Sequence, residues 1–115
     1  MRHRLAILSS AALVLMASGA QAASFNCARA RSPDEKAICG SLTLNDQDVR
    51  LAQLYDITRH LVAMGGRGAI QDDQQAWLQS RRACGANRAC LTQSYSRRIG
   101  ELNRVLEHVY SQGPF

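Results

Sequence analysis

The stretch Gln74-Gln75-Ala76-Trp77-Leu78-Gln79-Ser80-Arg81-Arg82-Ala83-Cys84, the break Gly85-Ala86-Asn87, and the continuation Arg88-Ala89-Cys90-Leu91 through Tyr95, Arg98-Ile99 and Leu102 decide the fold. This stretch holds the only Trp and two of the four cysteines. Its apolar positions recur at helical intervals on both sides of the break, which predicts two amphipathic helices meeting at a corner. Downstream, Leu91, Tyr95, Ile99, Leu102, Val105 or Leu106, and Val109 continue one stripe. Upstream, Ile70, Trp77, Leu78 and the stem of Arg81 mark the inner side of a helix from about Ile70 to Ala83. Asp72 and Asp73 are expected in its first turn, where the helix dipole favours negative charge.

Moving outward, Gly65-Gly66-Arg67-Gly68 reads as the link between that helix and the one before it. It lacks the spacing of a phosphate-binding loop, and no strand precedes it. Leu44, Leu51, Leu54, Tyr55, Thr58, Leu61 and Val62 fall on one side of a helix from about Ser41 or Leu42 to Met64. Before it, Ser32-Pro33-Asp34-Glu35 is a helix start, with Ser32 as N-cap, Pro33 at the first position and Glu35 closing a capping box. Cys39-Gly40 ends that short helix. Residues 23–31 carry no periodicity. No segment alternates with a period of two, so the fold class is all-α: a small antiparallel bundle of three main helices plus a short N-terminal helix.

The first 22 residues read as a secretory signal peptide. Arg2, His3 and Arg4 form a basic start, Leu5 to Ala17 an apolar run, and Ala20-Gln21-Ala22 a small-residue cleavage site. The apolar run is too short to span a bilayer. Cys27 follows Ser24-Phe25-Asn26, not a Leu-small-small run, so no lipid anchor is expected. Cleavage after Ala22 of the 115-residue chain leaves residues 23–115, of which 23–110 form the domain and 111–115 a frayed tail. The expected location is periplasmic or secreted. Removing Arg2 and Arg4 leaves 12 basic residues against nine acids, a formal +3. The charges are scattered, which argues against nucleic-acid binding.

Four cysteines in a short exported chain read as two disulfides. Three pairings are open. The six-residue spacing of Cys84 and Cys90 across a corner favours that staple, leaving Cys27 with Cys39, over the two crossed alternatives. No C-x-x-C knuckle supports zinc, and no cofactor is implied. His60 and His108 stand alone, Glu101 and Glu107 fall on different sides of one helix, and no carboxylate pair demands a cleft. The chain therefore reads as a binding module and not an enzyme. Tyr55, Trp77 and Tyr95 are core candidates, and Asp48, Arg81 and Arg98 lie near the inner stripes as candidates for a polar core.

The order Cys27, Glu35, Ile38-Cys39, Leu44, Asp48, Leu51, Tyr55, Gln74, Trp77-Leu78, Arg81, Cys84, Cys90-Leu91, Tyr95, Arg98-Ile99 and Leu102 resembles the LprI-type lysozyme inhibitor N-terminal domain family. The resemblance covers about residues 25–105 and implies a small exported helical domain with two disulfides. It also implies lysozyme as a partner, with inhibition by blocking of the substrate cleft. Animal-type lysozymes are basic, so Asp34-Glu35, Asp46 with Asp48, and Asp72-Asp73 are the candidate contacts, one of them presented on a loop. The competing expectation is an envelope adaptor that binds a partner protein or an anionic wall polymer through Arg81, Arg82, Arg88, Arg97 and Arg98.

Overall fold

The structure is a computed structural model, and it describes residues 23–113. The signal-peptide expectation for residues 1–22 lies outside those residues, as do the last two positions of the tail. A single 3-10 turn, Cys27–Arg29, precedes α1 (Pro33–Cys39), α2 (Leu42–Leu61), α3 (Met64–Ala83) and α4 (Arg88–Ser111). Among the described residues there is no strand. No helix among them is long and apolar enough to cross a membrane.

The long helices run up, down and up, so α2 and α4 are parallel and form the main packed pair, with α3 laid against both. Leu44 and Leu51 of α2, Trp77 of α3 and Leu91, Tyr95, Ile99 and Leu102 of α4 fill the core, joined by Ile38 of α1 and Ala23. The Trp77 and Tyr95 rings meet edge to face at 5.1 Å, and the indole N–H donates to the Ser94 carbonyl at 3.2 Å. A buried indole needs such a partner, because an unpaired N–H in the core would oppose folding. Asn45 Nδ2 donates to the Ile38 carbonyl at 3.0 Å and so ties the end of α1 to the start of α2.

Both disulfides lie at one end of the bundle, where α2 and α4 begin and α3 ends. Cys27 pairs with Cys39 and Cys84 with Cys90. The first holds the 3-10 turn against the end of α1, and the second closes the α3–α4 corner. Gly85 sits in that corner with φ +56, a conformation that L side chains rarely adopt. Asn87 caps α4 by accepting from the Cys90 backbone N–H at 3.0 Å.

Three local expectations need correction. The glycine run is not the α2–α3 link: the break falls at Val62 and Ala63, both extended, and Gly65 to Gly68 lie inside the first turns of α3. Tertiary contact overrides the low helix propensity there. Arg67 Nε donates to the Arg59 carbonyl at 2.8 Å, placing a cation on the C-terminal end of α2 where the dipole favours it. Consequently Asp72 and Asp73 sit in the third turn of α3 and not the first. Finally, Ser32 precedes α1 as expected, but its side chain makes no capping hydrogen bond, so the capping box is open.

Glycines in a helix interior weaken it by exposing backbone and by entropy. A Cβ added at Gly68 meets nothing within 4 Å. Gly68→Ala should therefore raise stability by about 0.5–1 kcal/mol, read as a higher urea midpoint with unchanged slope. A lowered midpoint would mean that this segment is not helical in solution.

Candidate functional site

The disulfide-bound end encloses a polar cluster built from four helices. Arg81, near the end of α3, points inward because its position continues the Gln74–Trp77 side of that helix. Its Nε donates to Asp34 Oδ2 of α1 at 3.0 Å, and its Nη1 lies 3.8 Å from Asp48 Oδ1 of α2. The Tyr95 hydroxyl of α4 donates to Asp48 Oδ1 at 2.8 Å and lies 3.4 Å from Arg81 Nη1. Asp48 Oδ2 accepts the Ser24 backbone N–H at 2.6 Å. The guanidinium carbon sits 5.6 Å from the Phe25 ring centroid and 5.7 Å from that of Trp77, so aromatic faces complete its surroundings. Asp34 is 0% exposed, Asp48 2% and Arg81 7%.

The charges in this cluster hold one another in their ionised or neutral forms. Burial opposes ionisation of Asp34, but the Ser32 hydroxyl beside it, Arg81 and the Glu35 backbone N–H outweigh it and leave its carboxyl below the usual range. Burial, then the Asp48 charge, pushes the Tyr95 phenol well above its usual range, so it stays protonated as a donor. Burial likewise opposes the Arg81 charge, but Tyr95 and Asp34 outweigh it and raise its pKa.

A depressed carboxyl pKa in the folded state stabilises the fold above the unfolded value. That stability is lost as pH falls through the folded value. The melting temperature should therefore drop as pH falls below about 4, the ordinary carboxyl range. Asp34→Asn should flatten that acid slope, as measured by calorimetry between pH 6 and pH 2. An unchanged slope in Asp34→Asn would remove Asp34 from the acid response.

A second buried arginine lies one helical turn further along α4. Arg98 Nε donates to Gln74 Oε1 of α3 at 3.0 Å, and its Nη1 to Glu101 Oε2 at 3.1 Å. Together the two arginines join α3 to every other helix of the bundle. Nothing in this geometry exposes a nucleophile or a free acid–base pair; it is a buried polar network in which Asp34 Oδ1 and Arg98 Nη2 have no hydrogen-bond partner. Among the described residues, no group of three or more His, Cys, Asp or Glu side chains could hold a metal ion.

The surface beside the cluster has two grooves. One, of about 480 Å³, lies between α3 and α4 and is lined by Asp73, Ala76, Trp77, Ser80, Arg97 and Glu101, with Arg98 beneath. The other, of about 300 Å³, lies between α2 and α3 and includes Ser24, Tyr55, Asp56, Arg59, Gln75 and Leu78. Tyr55 is half-buried at its rim, with Arg59 stacked at 5.9 Å over its ring.

The six acidic contact candidates divide sharply. Asp34 and Asp48 are withdrawn into the cluster and face no solvent, which corrects their reading as surface contacts. Asp46, Asp72 and Asp73 are exposed and Glu35 is half-buried. All six stand on helices, so the expected acidic loop is not formed. The basic-face candidates divide as well: Arg82, Arg88 and Arg97 are exposed, while Arg81 and Arg98 are buried.

Sequence reasoning missed the partners more than the participants. Asp34 follows Pro33 in a first turn, where a dipole role explains it fully. Only the fold reveals that it lies beside Arg81, 47 positions away. Gln74 gave one signal, its place three positions before Trp77 on the inner side of α3. Ser24 and Phe25 gave none.

A family model described as Lysozyme inhibitor LprI matches residues 27–102. The match runs from the first cysteine to the last core leucine of the main cluster and spans both disulfides, Asp34, Asp48, Arg81, Tyr95 and Arg98. No curated protein and no solved structure matches the chain.

Proposed function

The chain belongs to the lysozyme inhibitor LprI family, and from that membership we propose that it is an exported, non-enzymatic inhibitor that occupies the substrate cleft of a lysozyme. The family match is the observation that carries this reading. The amino-terminal sequence, with its basic start, apolar run and Ala20-Gln21-Ala22 site, supports export to the periplasm or beyond. Disulfides belong to the same oxidising compartment.

For the contact surface, the exposed acids of α3 are the best placed. Asp72 and Asp73 stand on an outer face, and Asp73 shares the α3–α4 groove with Glu101. A basic lysozyme would meet the exposed carboxylates of Asp72 and Asp73 there, with Arg97 lining the same groove, while screening limits the reach of arginines farther off to about 8–10 Å. The buried cluster beneath would hold that face rigid, which lowers the entropic cost of binding.

Calorimetric titration of the purified oxidised protein into lysozymes of several types tests this reading. A one-to-one complex with at least one type is expected, and Asp72→Lys with Asp73→Lys should weaken it roughly tenfold or more at low salt. If no lysozyme binds, and wall polymer instead binds with a steep salt dependence through Arg82, Arg88 and Arg97, the envelope-adaptor reading replaces it.

A further inference from the structure

The buried cluster is unbalanced in charge. Two carboxylates, Asp34 and Asp48, face one guanidinium, Arg81, and the remaining direct partners of Asp48 are the neutral Tyr95 hydroxyl and the Ser24 amide. An uncompensated buried charge is costly, and natural clusters are expected to close such a gap. The backbone that reaches Asp48 is the very start of the described chain. Ser24 N–H lies 2.6 Å from Asp48 Oδ2, and Ala23, one residue earlier, is 7% exposed and packed into the apolar core.

We propose that hydrolysis of the Ala22–Ala23 bond creates the missing cation, an α-ammonium on Ala23 that pairs with Asp48 and completes the cluster. The inference rests on the export reading and is independent of lysozyme binding. In the cleavage a signal peptidase adds water across the peptide bond. The oxygen joins the Ala22 carbonyl carbon as a carboxylate, and the Ala23 nitrogen leaves as an amine that is protonated at neutral pH. The new amine stands next to an amide already bonded to Asp48, within about 4 Å of it along the backbone. The charged groups around it would be Asp48 from α2, Arg81 from α3 and Asp34 from α1. Tyr95 adds a hydroxyl from α4, and Asp56 and Arg59 lie farther along the same groove. Processing would thus be a folding step: the mature domain would reach full stability only after its leader is removed.

An ammonium that gains a carboxylate partner titrates above its usual value of about 7.7–8.0. Its stabilisation is present below that value and is lost as pH rises through the folded one. The test begins with export of the full chain from a bacterial host and the intact mass of the oxidised product. The α-amine of that product is then titrated by NMR. Its melting is compared, across pH 6 to 10, with a form carrying one extra N-terminal glycine. A product starting at Ala23 is expected, with an amine pKa raised by a unit or more. Its melting advantage over the extended form should shrink as pH rises through that value. A product that keeps its leader would overturn the proposal together with the export reading. A product starting elsewhere, or an amine of ordinary pKa, would overturn the proposal alone. So would a melting difference that ignores pH, since that reports only the steric cost of the added residue.

Discussion

Arg81→Met should cost the domain about 3–5 kcal/mol, enough to leave much of it unfolded at 37 °C. The methionine fills similar volume, so the loss is electrostatic. It strands Asp34 and Asp48 with no guanidinium, both essentially inaccessible to water. Breaking a buried ion pair by removing one partner is among the most damaging single changes known in cores. Asp34→Asn in the same chain should recover part of the loss, because it removes one stranded charge. The coupling between the two sites, read from a double-mutant cycle in urea, is expected to exceed about 1 kcal/mol. Simple additivity would mean that Arg81 stabilises by packing its stem and not by charge.

Loss of the disulfides is the second large effect. The Cys27–Cys39 and Cys84–Cys90 loops are short, with separations of 12 and 6 residues. The chain-entropy model still assigns each about 2–3 kcal/mol. A domain of this length has about 5–14 kcal/mol in all. Reducing both bonds should therefore remove a third or more of that reserve and lower the melting temperature by tens of degrees. Cys84→Ser with Cys90→Ser tests the corner alone and should cost about half as much. Equal melting of oxidised and reduced protein would show that helix packing is sufficient without the staples.

The two effects have one origin. The disulfides hold the start of the chain and the α3–α4 corner where the cluster of Asp34, Asp48, Arg81 and Tyr95 is assembled. Loss of the staples lets water reach the cluster and hydrate a stranded carboxylate, so the combined variant should cost less than the sum of its parts.

The helical architecture was legible in the sequence because its signal is local. The stripe from Leu91 to Leu106 repeats at helical spacing and becomes the buried side of α4, and Cys84 and Cys90 flank a glycine that can turn. What failed was also local, but was decided from outside. Gly65 to Gly68 have poor helix propensity, yet Arg67 bonds to the end of α2 and the helix forms through them. The site was less legible. Asp48 lies beside the inner stripe of α2 and is legible as a polar-core candidate, but no pattern marks Asp34 as inward-facing against Asp72 and Asp73. Their fates depend on a cation 47 positions away for Asp34 and on a tyrosine 47 positions away for Asp48. Such pairings exist only once the helices are packed.

The most direct measurement of the functional account is lysis of a bacterial wall suspension by several lysozyme types, titrated with the oxidised protein. Lysis by at least one type is expected to fall linearly to near zero at one inhibitor per enzyme. Prior reduction of the disulfides, or Arg81→Met, should restore lysis. Undiminished lysis by every type at a large excess of folded protein would contradict the inhibitor reading.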